Sequence, residues 1–346
     1  MNFDLSYERI IGRTTNLLSS EIKNILTLSE EKVLVTGAGG SIGSKIAKEL
    51  SNFSNCELLF TDRDENRLHS LSLDLMGTAL FNTSHFQVLD IRDMVGIQKS
   101  FDNFRPTMII HAAALKHLSI LENQPREAYL TNVIGTYNLI KTSLNFDNIK
   151  FLNISTDKAA NPMSILGKTK WIGELITSYC RRNGNTNYTS VRFGNVFNSQ
   201  GSVIETFIRQ LVNNQPVTLT DMNVSRYFMK LEEAASLSIA SVIMNVDEVH
   251  ILNMGEPVKL IDVIQRLKNE LNSSSPINIV GLRKGEKLNE ELIAEYEIIS
   301  QNSTNNIKSI KSKKYFRYLP ELNHKVSTEI EAIEEITKLI SFACIN

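Results

Sequence analysis

Cysteine is scarce: Cys56, Cys180 and Cys344 are the only three in a chain of 346 residues. They are far apart and odd in number, with no CxxC or Cys/His grouping. That excludes a disulfide framework and a zinc site, so no metal is expected. It also suits a reducing compartment, and a cytoplasmic setting is expected. No run of about 18 apolar residues occurs, so no membrane span is expected. The first residues, "MNFDLSYERIIGRTTNLL", carry charges inside their apolar stretch and lack a signal-peptide core. Charge excess is missing too, since 37 basic and 38 acidic side chains leave a net of -1. Nothing therefore points to a nucleic-acid partner. The length is enough for one large core or two domains sharing a cleft.

What is present is alternation. "EKVLVTGAGGSIG" reads as a buried strand entering a glycine turn. "SIGSKIAKELSNF" follows with helical apolar spacing at Ile42, Ile46 and Leu50. "CELLFTD", "HFQVLDIRD", "PTMIIHAAA", "KFLNIST" and "YTSVRFGNV" read as further strands. Helices separate them, including one over about 125–144 and one over about 164–182. Strands alternating with helices imply α/β architecture with a doubly wound parallel sheet. Residues 31–195 fit this nucleotide-binding unit, and 1–30 read as a helical arm ahead of it. Residues 196–299 mix short strands and helices and read as a smaller C-terminal substrate lobe, which can interleave with the sheet. Residues 300–346 read as a polar loop over 300–315 and a final amphipathic helix over about 326–342.

"TGAGGSIG" supplies Gly37, Gly40 and Gly43 as GxxGxxG, between a strand and a helix. Small residues let the backbone approach a pyrophosphate, and Ser41, Ile42 and Gly43 open the helix whose N-terminus favours it. The ordinary alternative is a glycine turn without a ligand. Asp62 ends the second strand, about 20 residues on, where an acid accepts from ribose hydroxyls and repels a 2′-phosphate. That favours NAD over NADP, although the adjoining Arg63 suits a phosphate. Asp90 and Ile91 are placed to flank adenine; a helix N-cap is the equal alternative for Asp90.

"NISTDKAANPMSILGKTK" places Thr156, Asp157 and Lys158 at the carboxyl edge of the sheet, where ligands bind in such folds. An N-cap with a solvated charge pair explains the same residues from spacing alone. Lys170 has Leu166 four residues before it. A YxxxK pair would have Tyr there, so either the chain is a silent relative or another group moves the proton.

"VLVTGAGGSIGS", "HAAALKHLSILENQPREAYLTNVIGTYN", "STDKAANP", "RFGNVFNSQGSVI", "SRYFMKLEEA", "LNMGEPVKL" and "GLRKGEKLNEEL" together resemble the polysaccharide-biosynthesis branch of the extended short-chain dehydrogenases/reductases. The resemblance spans about residues 10–295. It implies a Rossmann fold with bound NAD and a UDP-N-acetylglucosamine 4,6-dehydratase of the subgroup lacking the Tyr, with retention of configuration at C5. "YERIIGR" looks like the linker that precedes the catalytic domain in that subgroup. Departures are Leu166 for Met, Lys168 for Ala and Asn289 for Tyr.

By resemblance, Thr156 relays the C4 hydroxyl proton, Lys158 is the base at C5, Asp157 is the acid at C6, and Lys170 holds the nicotinamide ribose. Lys158 would need its pKa lowered and Asp157 raised. Ala112, Ala113, Ala114 and Asn132 fall beside the cofactor; a cap or turn is the plain alternative for Asn132. His111 reads as structural. Lys116, Asn195, Ser202, Val203, Arg226, Arg283 and Glu286 match the substrate side, with the two arginines suited to phosphate. Each arginine alone also fits a surface ion pair, and Lys116 a solvated lysine. A UDP-sugar is the expected partner, and a homo-oligomer through an exposed helix pair is the default. A sugar-nucleotide 4-epimerase and a silent NAD-binding homologue are the alternatives.

Overall fold

The computed structural model describes residues 6–15, 30–52, 56–78, 85–184 and 187–345. Most of the arm expected over 1–30 lies outside them. The central sheet has nine strands: β1 (Lys32–Thr36), β2 (Glu57–Asp62), β3 (Phe86–Val88), β4 (Met108–His111), β5 (Lys150–Ile154), β6 (Tyr188–Arg192), β7 (Val249–Leu252), β8 (Glu297–Ile299) and β9 (Ile307–Ser312). Their spatial order is β3-β2-β1-β4-β5-β6-β7-β9-β8. Only β9 runs antiparallel to its neighbours, β7 and β8.

The inner strands form because runs such as "KVLVT" and "MIIH" are apolar on both faces, as a parallel sheet covered by helices requires. Val33, Leu34, Val35, Met108, Ile109 and Ile110 are fully buried. The chain order reverses beside β1, so β1 and β4 flank the point where such sheets bind ligands.

The polar loop expected over 300–315 is instead β9 with its hairpin. Ile307 and Ile310 are buried while Lys308 and Lys311 face outward. Lys308, Lys311 and the buried Ser309 interrupt the apolar run and hid this strand, which is paired on both sides, with β8 at the sheet edge. β7, β8 and β9 return to the sheet from beyond residue 195, so the lobe interleaves with the nucleotide-binding unit.

The short N-terminal helix Tyr7–Ile11 is inserted into the lobe rather than appended. Tyr7, Ile10 and Ile11 are buried with Phe207, Phe228 and Ile264 in one apolar cluster. Gly12 closes the helix at φ 79°. Arg13 then donates to Glu233 at 2.6 Å and to the Asn253 carbonyl at 3.0 Å.

The helical segment 125–143 and the helix Ile165–Arg182 share one buried cluster with Val326, Ile336 and Leu339 of the C-terminal segment. The C-terminal helix Glu329–Ser341 packs on both. No helix among the described residues is long and apolar enough to cross a membrane.

Candidate active site

The glycine turn leaves β1 and opens the helix Ser41–Leu50, with Gly40 at its N-cap. Gly37 has φ 67°, and a Cβ there would lie 2.6 Å from the Ala113 backbone. A Cβ on Gly43 would lie 2.1 Å from the Gly37 carbonyl oxygen. Both positions therefore demand glycine. Ser41 and Ile42 follow at the helix start, whose free N–H groups suit a pyrophosphate. Asp62 accepts hydrogen bonds from the Gly39 and Asp64 N–H groups, each at 3.0 Å. That places an acid beside the turn, as ribose recognition requires. Arg63 is exposed.

Asp90 is not the helix cap; Asp93 is, accepting from the Val95 N–H. Asp90 pairs with Arg92 at 2.6 Å. Burial raises the Asp90 pKa, but the Arg92 hydrogen bonds outweigh it and leave the carboxyl below its usual range. Ile91 is buried, with its side chain against Gly135. Ala112 donates to the Thr36 carbonyl at 3.1 Å, continuing the sheet pairing beyond β4.

Ala113 and Ala114 lead to Leu115, whose N–H and C=O are both held by the Asn132 side chain, at 2.9 and 3.1 Å. Asn132 lies in a π-helical turn, Tyr129–Ile134. Such turns often mark functional sites. His111 is fully buried between Thr36 and Thr136. Thr136 gives its proton to the Asn132 carbonyl, so it accepts from His111 Nε2. Burial, then the Lys170 charge, holds this imidazole neutral, well below its usual pKa.

β5 ends at Ile154; Ser155 follows, then a single 3₁₀ turn, Asp157–Ala159, capped by Thr156. The Thr156 hydroxyl donates to Asp157 Oδ1 at 2.9 Å, and Lys158 Nζ donates to the same oxygen at 3.0 Å. Asp157 is fully buried. Its Oδ2 has no hydrogen-bond partner and faces Gly194, where a Cβ would come within 2.9 Å. A buried carboxylate oxygen left in this state is costly, and native structures keep such atoms mainly where chemistry needs them.

Lys158 differs from expectation. Burial lowers its pKa, but Asp157 and Glu290 together outweigh burial and Arg226, and the ammonium is stabilised above its ordinary value. Lys170 is the depressed lysine. Burial, only partly opposed by Glu174, lowers it to about 8. The unfolded chain keeps that proton to the ordinary lysine value, so stability rises with pH between the two and the penalty is complete below about 8. Lys170→Met is therefore expected to raise the urea midpoint more at about pH 7 than at about pH 10. Equal gains at both would contradict the depressed amine. Leu166 is buried among apolar side chains and offers packing only.

On the substrate side, Arg226 and Arg283 are both committed to Glu286, at 3.1 and 3.0 Å. Arg226 is buried and Arg283 exposed. Glu286 is held below the usual carboxylate range; burial opposes this and the Arg283 hydrogen bond overcomes it. Asn195 begins a two-residue strand paired with Phe228–Met229. Ser202 caps the helix Val203–Val212. Lys116 reaches the Gln200 carbonyl at 2.7 Å, tying the cofactor edge to that loop.

Five residues at the site were not singled out from the sequence. Ser155 donates to Glu174 at 2.6 Å. Glu174 and Glu297 clamp the fully buried Arg192 at 2.6 and 2.7 Å. Glu290 lies 3.6 Å from Lys158 Nζ. Glu174 was within reach, one helical turn beyond Lys170 on the same face.

Residues 33–312 match the family described as polysaccharide biosynthesis protein. The capsular polysaccharide biosynthesis protein CapD of Staphylococcus aureus is 36% identical over 314 residues, 89% of this chain and 51% of that protein. The chain thus spans about half the length of the first curated relatives it matches. Among solved structures, Pen from Bacillus thuringiensis is 27% identical with a TM-score of 0.70, covering 82% of this chain and 88% of that one. A dTDP-glucose 4,6-dehydratase from Streptomyces venezuelae, solved with NAD and TYD, superposes with a TM-score of 0.65 at 18% identity. It covers 75% of this chain and 88% of that chain, and it carries the fold alone.

Proposed function

The chain belongs to the polysaccharide biosynthesis protein family, and from that premise we propose that it is a nucleotide-sugar 4,6-dehydratase acting on UDP-N-acetylglucosamine. The observation that carries this reading is the hydrogen-bonded chain Thr156–Asp157–Lys158 at the end of β5. An epimerase has no need of such an acid–amine pair.

NAD is the cofactor, held by the Gly37–Gly43 turn, Asp62 and Lys170; it supplies a hydride acceptor for C4 and later a donor for C6. Thr156 takes the C4 hydroxyl proton and passes its own to Asp157, its hydrogen-bond acceptor. Asp157, now a neutral acid, protonates the departing C6 hydroxyl. The proton lost from C4 thus leaves in the water formed at C6. Once Asp157 is neutral and no longer opposes its charge, Lys158 releases its ammonium proton to solvent, takes the C5 proton and gives it back to the same face, which retains the C5 configuration. Lys170 would hold the nicotinamide ribose, and with Leu166 in place of a phenol the C4 proton transfer falls to Thr156. Arg226 and Arg283 bind the diphosphate once it displaces Glu286.

Incubation of the purified protein with UDP-N-acetylglucosamine tests this. A product lighter by one water, with a 4-keto-6-deoxy NMR signature, is expected. A product of equal mass inverted at C4 would make it an epimerase, and unchanged substrate would overturn both. Gly43→Ala is expected to weaken NAD binding by at least roughly tenfold, because the added methyl must displace the turn that meets the pyrophosphate. Titration of NAD followed by calorimetry checks it, and an unaltered affinity would remove the turn from the site.

A further inference from the structure

The segment Arg283–Glu291 lies across the site as a strap. On one side Glu286 accepts from Arg226, the Leu288 carbonyl accepts from Arg226 at 2.9 Å, and Asn289 accepts from the Ser225 hydroxyl at 2.7 Å. On the other side Lys287 donates to the Ala160 carbonyl at 3.3 Å, Glu290 faces Lys158, and Glu291 accepts from Asn161. The strap therefore joins the substrate lobe to the turn that carries the proposed acid and base.

Resting on the dehydratase reading, we propose that Glu290 is a positioning residue: its carboxylate holds the Lys158 amine against Asp157 and sets the pH at which that amine is free to take the C5 proton. The Glu290 side chain is 3% exposed and that of Lys158 18%, so water screens the pair weakly. The charged groups facing Lys158 are Asp157 on its own turn, Glu290 on the strap and Arg226 on the lobe strand. Arg226 is already matched by Glu286, and Asp157 matches Lys158. Glu290 is the remaining negative charge, and it stabilises the protonated amine.

This has a use in the cycle. Asp157 must accept the C4 proton and become neutral before the C6 hydroxyl leaves. At that moment Lys158 loses its hydrogen-bonded counter-charge and would be free to swing. Glu290 keeps it in place through the step, because its contact does not involve the proton relay. The neighbouring Glu291 cannot do this, since it turns away to Asn161 and Lys287.

The test is the titration of Lys158 itself, read by competitive acetylation with acetic anhydride over a pH series and mass spectrometry of the peptide that carries it. Removing one of two opposing charges within this distance moves a pKa by about 1 unit or more. Glu290→Gln is expected to lower the Lys158 midpoint by that amount, roughly a tenfold rise in free amine at a given pH. Glu290→Asp, which keeps the charge but withdraws it by one methylene, should lower it less. An unchanged midpoint in Glu290→Gln overturns the proposal. If that variant does not fold, an unchanged midpoint in Glu290→Asp does the same. Acetylation is read without turnover, so its outcome is separate from that of the dehydratase assay. If the enzyme does dehydrate UDP-N-acetylglucosamine, the rising limb of its pH profile should move to lower pH in Glu290→Gln by the same amount as the midpoint. A fall in rate with no movement of the limb would assign Glu290 a merely structural tie.

Discussion

Asp157→Asn is expected to reduce dehydration by about 10²- to 10⁴-fold, the usual range for removing a general acid–base group. NAD affinity should remain near that of the unaltered protein. The amide fills the same space and still accepts from Thr156, so the turn is preserved. What it cannot do is take the proton from Thr156 or hand one to the C6 hydroxyl. Both proton transfers would fail together, and oxidation at C4 should slow along with elimination. Product mass, with kcat and KM measured separately, checks this: the loss should fall on kcat. Dehydration at an unaltered rate would remove Asp157 from the reaction and with it the relay through Thr156.

The second large effect concerns stability. Arg192 is fully buried and meets two buried carboxylates, Glu174 and Glu297. It also donates to the Leu292 carbonyl at 3.1 Å. Arg192→Leu would leave both carboxylates without their cation in a low-dielectric interior, at a cost of about 3–5 kcal/mol. Urea unfolding should register it as a lower midpoint. Adding Glu174→Gln and Glu297→Gln should recover part of the loss, because neutral amides tolerate burial without a counter-charge. A midpoint unchanged by Arg192→Leu would show that the network is not needed. The site should also feel this change, since Glu174 holds Ser155 immediately before the catalytic turn.

Much of this site is local and therefore readable along the chain. The glycine positions follow from a turn completed within seven residues, and the steric clash at Gly43 involves Gly37 itself. Asp62 closes the next strand, and Thr156, Asp157 and Lys158 are consecutive, so their mutual hydrogen bonds need no distant partner. Lys170 and Leu166 are one helical turn apart. The departures came where partners are remote. The ammonium form of Lys158 is stabilised by Asp157 beside it and, further, by Glu290, which a strap from the far lobe delivers. The two proposed phosphate cations are held by a single carboxylate, Glu286. The strand Ile307–Ser312 was hidden because its buried positions, Ile307, Ser309 and Ile310, follow no apolar alternation with a period of two.

The amino-acid order by itself determined the parallel sheet, the Gly37–Gly43 turn and the hydrogen-bonded Thr156–Asp157–Lys158 triplet, because each depends on periodicity or on contacts between near neighbours. Tertiary structure alone decided the Glu174–Arg192–Glu297 clamp, in which Arg192 and Glu297 are 105 residues apart, and the placement of Glu290. The physical reason is that a buried charge takes its energy from whatever faces it in space, and no local pattern records which distant segment that will be.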